Sequence, residues 1–217
     1  LRQVKLYTYF RSSAAYRVRI ALNLKGLDYE AVPVHLVRGG GEHRQPAYLG
    51  LNPAGLVPAL EDQGQVLTQS LAIIEYLEES HPQPALLPAA PLDRARVRAI
   101  AQAIACDIHP VNNLRVLQYL TRELDASEEQ KNAWYRHWIG VGLQAVEAML
   151  AGDARTGAFC HGDTPGLADC CLVPQVFNAR RFGCELAAMP TVLRIAETCA
   201  GLEAFQRAAP EAQPDAE

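Results

Sequence analysis

Two hydroxyls and a guanidinium stand together at Arg11-Ser12-Ser13, between an alternating run, Val4 to Tyr9, and a segment in which Ala15, Val18 and Leu22 recur at helical spacing. Alternation giving way to helical spacing marks a strand-to-helix turn, and Gly26 is placed to end the helix. The first turn of a helix leaves backbone N–H groups without intrahelical partners, and the helix dipole adds a positive end. Such a turn favours a phosphate, a carboxylate or a thiolate. The residue types alone do not choose among them.

Composition narrows the partners. The chain has 217 residues, is 49% hydrophobic and 20% charged, and carries a formal net charge of -4. That is ordinary globular material with room for one large or two small domains. The charges are interspersed and form no basic stripe, which argues against nucleic acid as the main partner. No apolar run approaches the roughly 20 residues that span a bilayer, and the first residues lack the basic and apolar regions of a signal peptide, so no membrane partner and a cytoplasmic location are expected. The six cysteines, Cys106, Cys160, Cys170, Cys171, Cys184 and Cys199, include no C-x-x-C pair. They spell neither a zinc site nor a disulfide scaffold, no metal is expected, and buried reduced thiols are the simplest reading. A dithiol oxidoreductase would carry its thiolate at the start of the first helix, where this chain has Ala14.

The elements that must position the turn fall into two halves. From Val4 to about His81 the pattern runs strand, helix to Gly26, strand Tyr29 to Val34, an irregular stretch with Gly39-Gly40-Gly41, strand Val57 to Leu60, turn Asp62-Gln63-Gly64, strand Val66 to Thr68, and a helix from Ser70. A strand-helix-strand opening implies a parallel pair with a right-handed crossover, and the short turn at Gly64 implies an antiparallel pair. Pro82, Pro84, Pro88 and Pro91 then form a connector in which no long helix propagates. Beyond it Val97, Ile100, Ala101 and Ile104 repeat at helical spacing, as do Trp134, Trp138, Val141 and Ala145. The expected fold is α/β plus all-α: a first domain over residues 1–82 with a mixed sheet, a Pro-rich linker over 83–92, and a helical bundle over 93–217. Pro110 lies inside a long helical pattern and predicts a kink near His109.

Several motifs in order sharpen this. Arg11-Ser12-Ser13 leads into Arg17-Val18-Arg19-Ile20-Ala21-Leu22, followed by Leu51-Asn52-Pro53, Val57-Pro58, Gln69-Ser70-Leu71-Ala72-Ile73-Ile74-Glu75-Tyr76-Leu77, Leu172-Val173-Pro174-Gln175-Val176 and Gln213-Pro214-Asp215. Over essentially its whole length the chain resembles the zeta class of soluble glutathione transferases, whose members are maleylacetoacetate isomerases and whose close bacterial relatives act on maleylpyruvate. The resemblance implies a thioredoxin-like first domain with a four-stranded sheet, glutathione as cofactor, a small dicarboxylate as substrate, and a homodimer.

It also implies roles for individual residues. Ser12 matches the serine whose hydroxyl donates to the glutathione sulfur; a thiol of pKa about 8.5 is only about 3% ionised at neutral pH, and lowering it by about 2 units makes the thiolate the major form. By its own residue type Ser12 is equally a plain N-cap. Ser13 falls with the cofactor-binding residues. Pro58, after Val57, matches a cis-proline whose preceding backbone pairs with the peptide-like cofactor as an added strand would; an ordinary trans-proline is the alternative. Gln69 and Ser70 precede a helix and match the site of the γ-glutamyl carboxylate, although a simple cap explains them as well. His43 matches a position near the glycyl end and His109 one near the sulfur, while Asn113 and Arg115 match positions lining the pocket. Arg11, Arg115 and Arg181 are the candidates for holding substrate carboxylates, since a guanidinium pairs with them bidentately; Arg180, adjacent to Arg181, faces elsewhere. Trp134 and Trp138 read as packing. Gly162-Asp163-Thr164-Pro165-Gly166-Leu167-Ala168-Asp169 resembles the transferase folding motif with glycine at its cap position.

The family departs from this chain at Ala14, where it usually has cysteine. Because glutathione brings its own thiol, the loss reads as tuning. The implied activity is glutathione-dependent cis-trans isomerisation of a conjugated dicarboxylate, with catalysis by Ser12, Arg11 and Arg181. Conjugation or dehalogenation of small α-halo acids is the enzymatic alternative, and a glutathione-binding protein without catalysis is the other.

Overall fold

The structure, a computed structural model, describes residues 4–217. In chain order the elements are β1 (Val4–Thr8), α1 (Ser13–Leu24), β2 (Tyr29–Pro33), α2 (Pro46–Leu49), β3 (Ala59–Asp62), β4 (Gln65–Thr68) and α3 (Ser70–Ser80). They continue as α4 (Pro91–Gln102), α5 (Leu114–Arg122), α6 (Glu128–Ala151), α7 (Leu167–Arg181), α8 (Pro190–Ala200) and α9 (Glu203–Ala208). The chain forms two compact units: one runs to Leu86 and takes in Gly201–Glu217, and the other is Leu87–Ala200.

The first unit is built on a mixed sheet of order β2-β1-β3-β4. β1 and β2 are parallel, with Leu6 opposite Ala31, and the remaining pairs are antiparallel, with Leu6 opposite Leu60 and Leu60 opposite Leu67. Leu6 and Leu60 are fully buried, so the central strands carry the apolar register. Strand β3 starts at Ala59, two residues later than the alternation suggested; the cis Val57–Pro58 peptide before it lies outside the ladder. Helix α1 is capped by Ser12 and closes at Gly26, whose φ of 64° suits the left-handed end of a helix.

Helix α1 is buried from Ala15 through Leu22, two arginines included. Arg19 is 0% exposed; its Nε donates to the Ala208 carbonyl at 2.9 Å, Nη1 to Thr8 Oγ1 at 3.0 Å and the Tyr9 carbonyl at 3.3 Å, and Nη2 to the Phe10 carbonyl at 3.0 Å. Burial pulls its pKa down to about 10, with Tyr29, Tyr16 and Asp215 acting against that fall, so it stays charged at neutral pH. Lys25 at the end of α1 donates from Nζ to Glu78 Oε2 (2.8 Å) and to the carbonyls of His81 (2.7 Å) and Pro84 (2.9 Å), while the Leu86 N–H reaches Glu78 Oε2 at 2.9 Å. These bonds hold residues 81–86 on the first unit.

Three sequence expectations shift. The sequence pattern extends the helical half to residue 217, yet α9 and the tail belong to the first unit, because Phe205 and Ala208 are buried and α9 packs on α1, with Asn23 Nδ2 donating to the Ala204 carbonyl at 2.9 Å. The linker expected to end at 92 ends earlier, since Pro91 opens α4 at a first-turn position where its missing N–H costs no bond. On α6 the buried stripe is Tyr135, Ile139, Leu143, Val146 and Leu150, while Trp138 and Val141 are exposed and Trp134 donates from Nε1 to the Val111 carbonyl at 2.9 Å.

In the second unit the pattern around Pro110 resolves into a widened segment, Ala103–Ile108, that follows α4, and a tight turn over Pro110–Asn112. The His109 N–H accordingly reaches back to the Ile104 carbonyl at 3.0 Å, one residue further than in an α-helix. Gly166 is the cap residue before helix α7, and Asp169, 1% exposed, accepts the Gly166 N–H at 2.8 Å and the Cys160 N–H at 2.9 Å. Asp169 alone thus supplies the cap and ties it to the preceding loop. Asp169→Ala leaves two backbone donors without acceptors and is expected to lower stability by about 3 kcal/mol, whereas Gly166→Ser raises it by no more than about 0.5 kcal/mol. Urea unfolding of the two variants against the parent measures both.

Candidate active site

The turn between β1 and α1 has the geometry the sequence called for. The Ser12 N–H donates to the Tyr9 carbonyl at 2.9 Å, the Ser12 carbonyl accepts the Tyr16 N–H at 2.8 Å, and Ser12 Oγ accepts the Ala15 N–H at 3.2 Å. A hydroxyl has two acceptor lone pairs and one donor hydrogen. Capping occupies a lone pair, so Ser12 caps the helix and still has its hydrogen to donate; the two readings of this residue are compatible. Ser13 is buried in the first turn, and Ala14 beside it is half-buried. Arg11 lies with its guanidinium carbon 4.6 Å from the centre of the Phe10 ring, and its Nε is buried without a hydrogen-bond partner among the described residues.

The start of α3 is tied to α1. Ser70 is 6% exposed, and its Oγ accepts from Arg17 Nη1 at 3.1 Å, Arg17 itself being 2% exposed. As with Ser12, accepting leaves the Ser70 hydrogen for a ligand. Gln69 before it has φ 69° and ψ 115°, a backbone conformation that side-chain-bearing residues rarely adopt. Such strain costs on the order of 1–3 kcal/mol and collects at ligand sites. No composition signal marks it, and the sequence reading found Gln69 only through its motif.

The stretch between β2 and β3 is packed against the same turn. Tyr9, Phe10, Val34, Tyr48 and Val57 form one buried cluster, so the turn before Ser12, the end of β2, α2 and the segment before Pro58 share a core. Tyr48 Oη and Asn52 Nδ2 both donate to the Leu56 carbonyl at 2.7 Å, which fixes the chain just ahead of Val57 and the buried Pro58. His43 is 8% exposed in a tight turn, Glu42–Arg44. Gly41 makes room for it: a Cβ there would collide with the His43 ring and the Leu36 carbonyl, and its φ is 101°. Burial, with Arg44 in second place, pushes the His43 pKa below its ordinary 6.5, so the ring is neutral at pH 7. Its Nδ1 is buried without a hydrogen-bond partner among the described residues. The structure therefore brings Arg11, Ser12, Ser13, His43, Val57, Pro58, Gln69 and Ser70 onto elements of one unit that are fastened to one another.

Four candidates lie in the second unit. His109 is half-buried where the widened segment meets Pro110, and Asn113 caps α5 by accepting the Arg115 N–H on Oδ1 at 3.2 Å. Arg115 is exposed in the first turn of α5. Arg181 is exposed at the end of α7, 5.2 Å over the Phe182 ring, which stacks on Tyr135 at 3.7 Å. Sequence reasoning missed Arg17 and Arg19 as individual actors, because their partners are a hydroxyl and backbone carbonyls distant in sequence. Among the described residues no group of three or more His, Cys, Asp or Glu is placed to hold a metal ion. No helix of the described residues is long and apolar enough to cross a membrane.

Residues 6–85 match the family model of the glutathione S-transferase N-terminal domain. The chain is 57% identical to the maleylacetoacetate isomerase of Pseudomonas aeruginosa, over 98% of each chain. It superposes on a holo structure of a bacterial maleylpyruvate isomerase of the zeta class with a TM-score of 0.95, at 52% identity over 98% of this chain and 100% of the other. It also superposes on a maleylacetoacetate isomerase from Methylobacterium extorquens with bound malonate and GSH, with a TM-score of 0.94 and 45% identity over 98% of this chain and 99% of that one. With identity of this order sustained from end to end, the chain belongs to the zeta-class glutathione S-transferases, in the family of maleylacetoacetate and maleylpyruvate isomerases.

Proposed function

We propose that this protein is a glutathione-dependent maleylacetoacetate isomerase, forming fumarylacetoacetate in the breakdown of aromatic compounds. The observation that carries the reading is Ser12: it caps α1 through a lone pair and keeps a donor hydrogen at the positive end of that helix. The first unit fits glutathione on its own chemistry. The buried His43 Nδ1 lacks a hydrogen-bond partner among the described residues, and Ser70 keeps a donor hydrogen beside its bond to Arg17. Ser12 and Ser13 would lie at the sulfur end, Val57 beside cis-Pro58 along the peptide backbone, Gln69 and Ser70 at the γ-glutamyl carboxylate, and His43 at the glycyl end. His109, Asn113 and Arg115 are the further cofactor-binding candidates that the family resemblance adds.

Bound there, glutathione would supply a thiolate nucleophile for reversible addition to the conjugated double bond, the chemistry that allows rotation about it and regenerates the free thiol. The residues of the chain do the rest. Ser12 and the first-turn N–H groups stabilise negative charge on sulfur. Arg11 and Arg181 pair with the substrate carboxylates and stabilise charge that develops on its oxygens. Maleylpyruvate shares the conjugated cis acid, and the maleylpyruvate isomerase superposition keeps it as the second substrate to test. The free cysteines, four of them buried, fit a reducing cytoplasm, and the homodimer is carried over from the family.

The deciding assay incubates the protein with each maleyl compound, with and without glutathione, and follows the loss of cis-enol absorbance. Turnover is expected only with glutathione, and turnover without it refutes the reading. Ser12→Ala is expected to cost about a hundredfold in kcat while glutathione affinity changes by less than about threefold. Ala14→Cys restores the residue usual in the family without adding a needed nucleophile. It is expected to leave kcat/KM within about threefold of the parent in the same assay, a change of under about 1 kcal/mol.

A further inference from the structure

The tail motif Gln213-Pro214-Asp215 has no part in the chemistry derived above, yet it ends on the candidate active-site turn. Gln213 is 8% exposed and donates from Nε2 to the carbonyls of Arg207 and Ala209, both at 2.9 Å, which fastens the tail to the end of α9. From there Asp215 Oδ2 accepts the Phe10 N–H at 3.0 Å, across 205 residues of sequence. Two residues on, Glu217 meets Arg38 Nη2 at 2.7 Å and His35 Nε2 at 3.3 Å, on the stretch that leads to His43.

The Phe10 N–H and the Tyr9 carbonyl belong to one peptide group. That carbonyl accepts the Ser12 N–H at 2.9 Å and Arg19 Nη1 at 3.3 Å. A peptide group is planar and stiff, so whatever orients its N–H also orients its carbonyl. Asp215 and Arg19 therefore hold the two ends of the plane on which the Ser12 backbone hangs. We propose that Asp215 is a positioning residue for Ser12, setting the plane of the Tyr9–Phe10 peptide and through it the placement of the Ser12 hydroxyl. The exposed Arg38–Glu217 ion pair is worth little and steadies the tail without carrying this role.

The proposal rests on Ser12 as the group that stabilises the thiolate, and two readouts separate the claims. The first needs no cofactor: hydrogen exchange of the Ser12 amide in the free protein is expected to quicken by about tenfold in Asp215→Ala, the size of effect that loss of one hydrogen bond to a charged group produces. Asp215→Asn, whose amide oxygen still accepts from Phe10, is expected to recover most of the protection. The second readout is the pH titration of the bound glutathione thiolate by its ultraviolet absorbance, together with kcat. Asp215→Ala is expected to raise the midpoint by about one unit and to lower kcat about tenfold with KM for the dicarboxylate little changed, and Asp215→Asn to restore both. Parent-like exchange in Asp215→Ala overturns the proposal, and so does an Asn variant that falls as far as the Ala variant. If exchange responds as stated while the parent shows no bound thiolate, the positioning stands and the role of Ser12 falls.

Discussion

A single buried guanidinium organises the end of the first unit that faces chemistry. Arg19 takes the Thr8 hydroxyl and the Tyr9 and Phe10 carbonyls on one side and the Ala208 carbonyl on the other. Removing such a charge from water is costly, and the cost is met when every donor finds a well-placed oxygen. Arg19 lies 5.3 Å over the Tyr16 ring and stays charged. Deleting a partner to a buried charge costs about 3–5 kcal/mol, which makes the arrangement all-or-none. The turn before Ser12 is rigid for that reason.

Function follows from what this rigidity leaves available. Two candidate hydroxyls are occupied as acceptors by the fold, Ser12 by the Ala15 N–H and Ser70 by Arg17, so both are oriented and retain one donor hydrogen. Preorganised donors need not rearrange when negative charge appears, which is the source of their advantage over water. The strained backbone of Gln69 belongs to the same economy of form: the helix start at Ser70 holds the strain in place. Gly41 does likewise for His43, whose buried ring admits no side chain at that position.

Much of this was legible because it is local. The turn from β1 to α1, the end of α1 at Gly26 and the Gln63-Gly64 hairpin turn are written in nearest neighbours. What the sequence hid depends on distant partners. On α6 two overlapping stripes satisfy helical spacing, and only the neighbouring helices select Tyr135, Ile139 and Leu143 over Trp138 and Val141. Residues 201–217 look like more of the helical half until α9 is seen against α1. Arg17 and Arg19 carry no sign of their partners, because a backbone carbonyl has no letter of its own. Pro110 foretold a break near His109, but the widened segment before it is a tertiary outcome.

Ser12 caps α1 through a lone pair and keeps a donor hydrogen at the positive end of that helix, which suits an anion there. The most direct measurement of that claim is the pH titration of glutathione bound to the parent protein, read by thiolate absorbance. The account predicts a midpoint about 2 units below the free thiol value near 8.5, making thiolate the major form at neutral pH. A bound midpoint at or above the free value would contradict it.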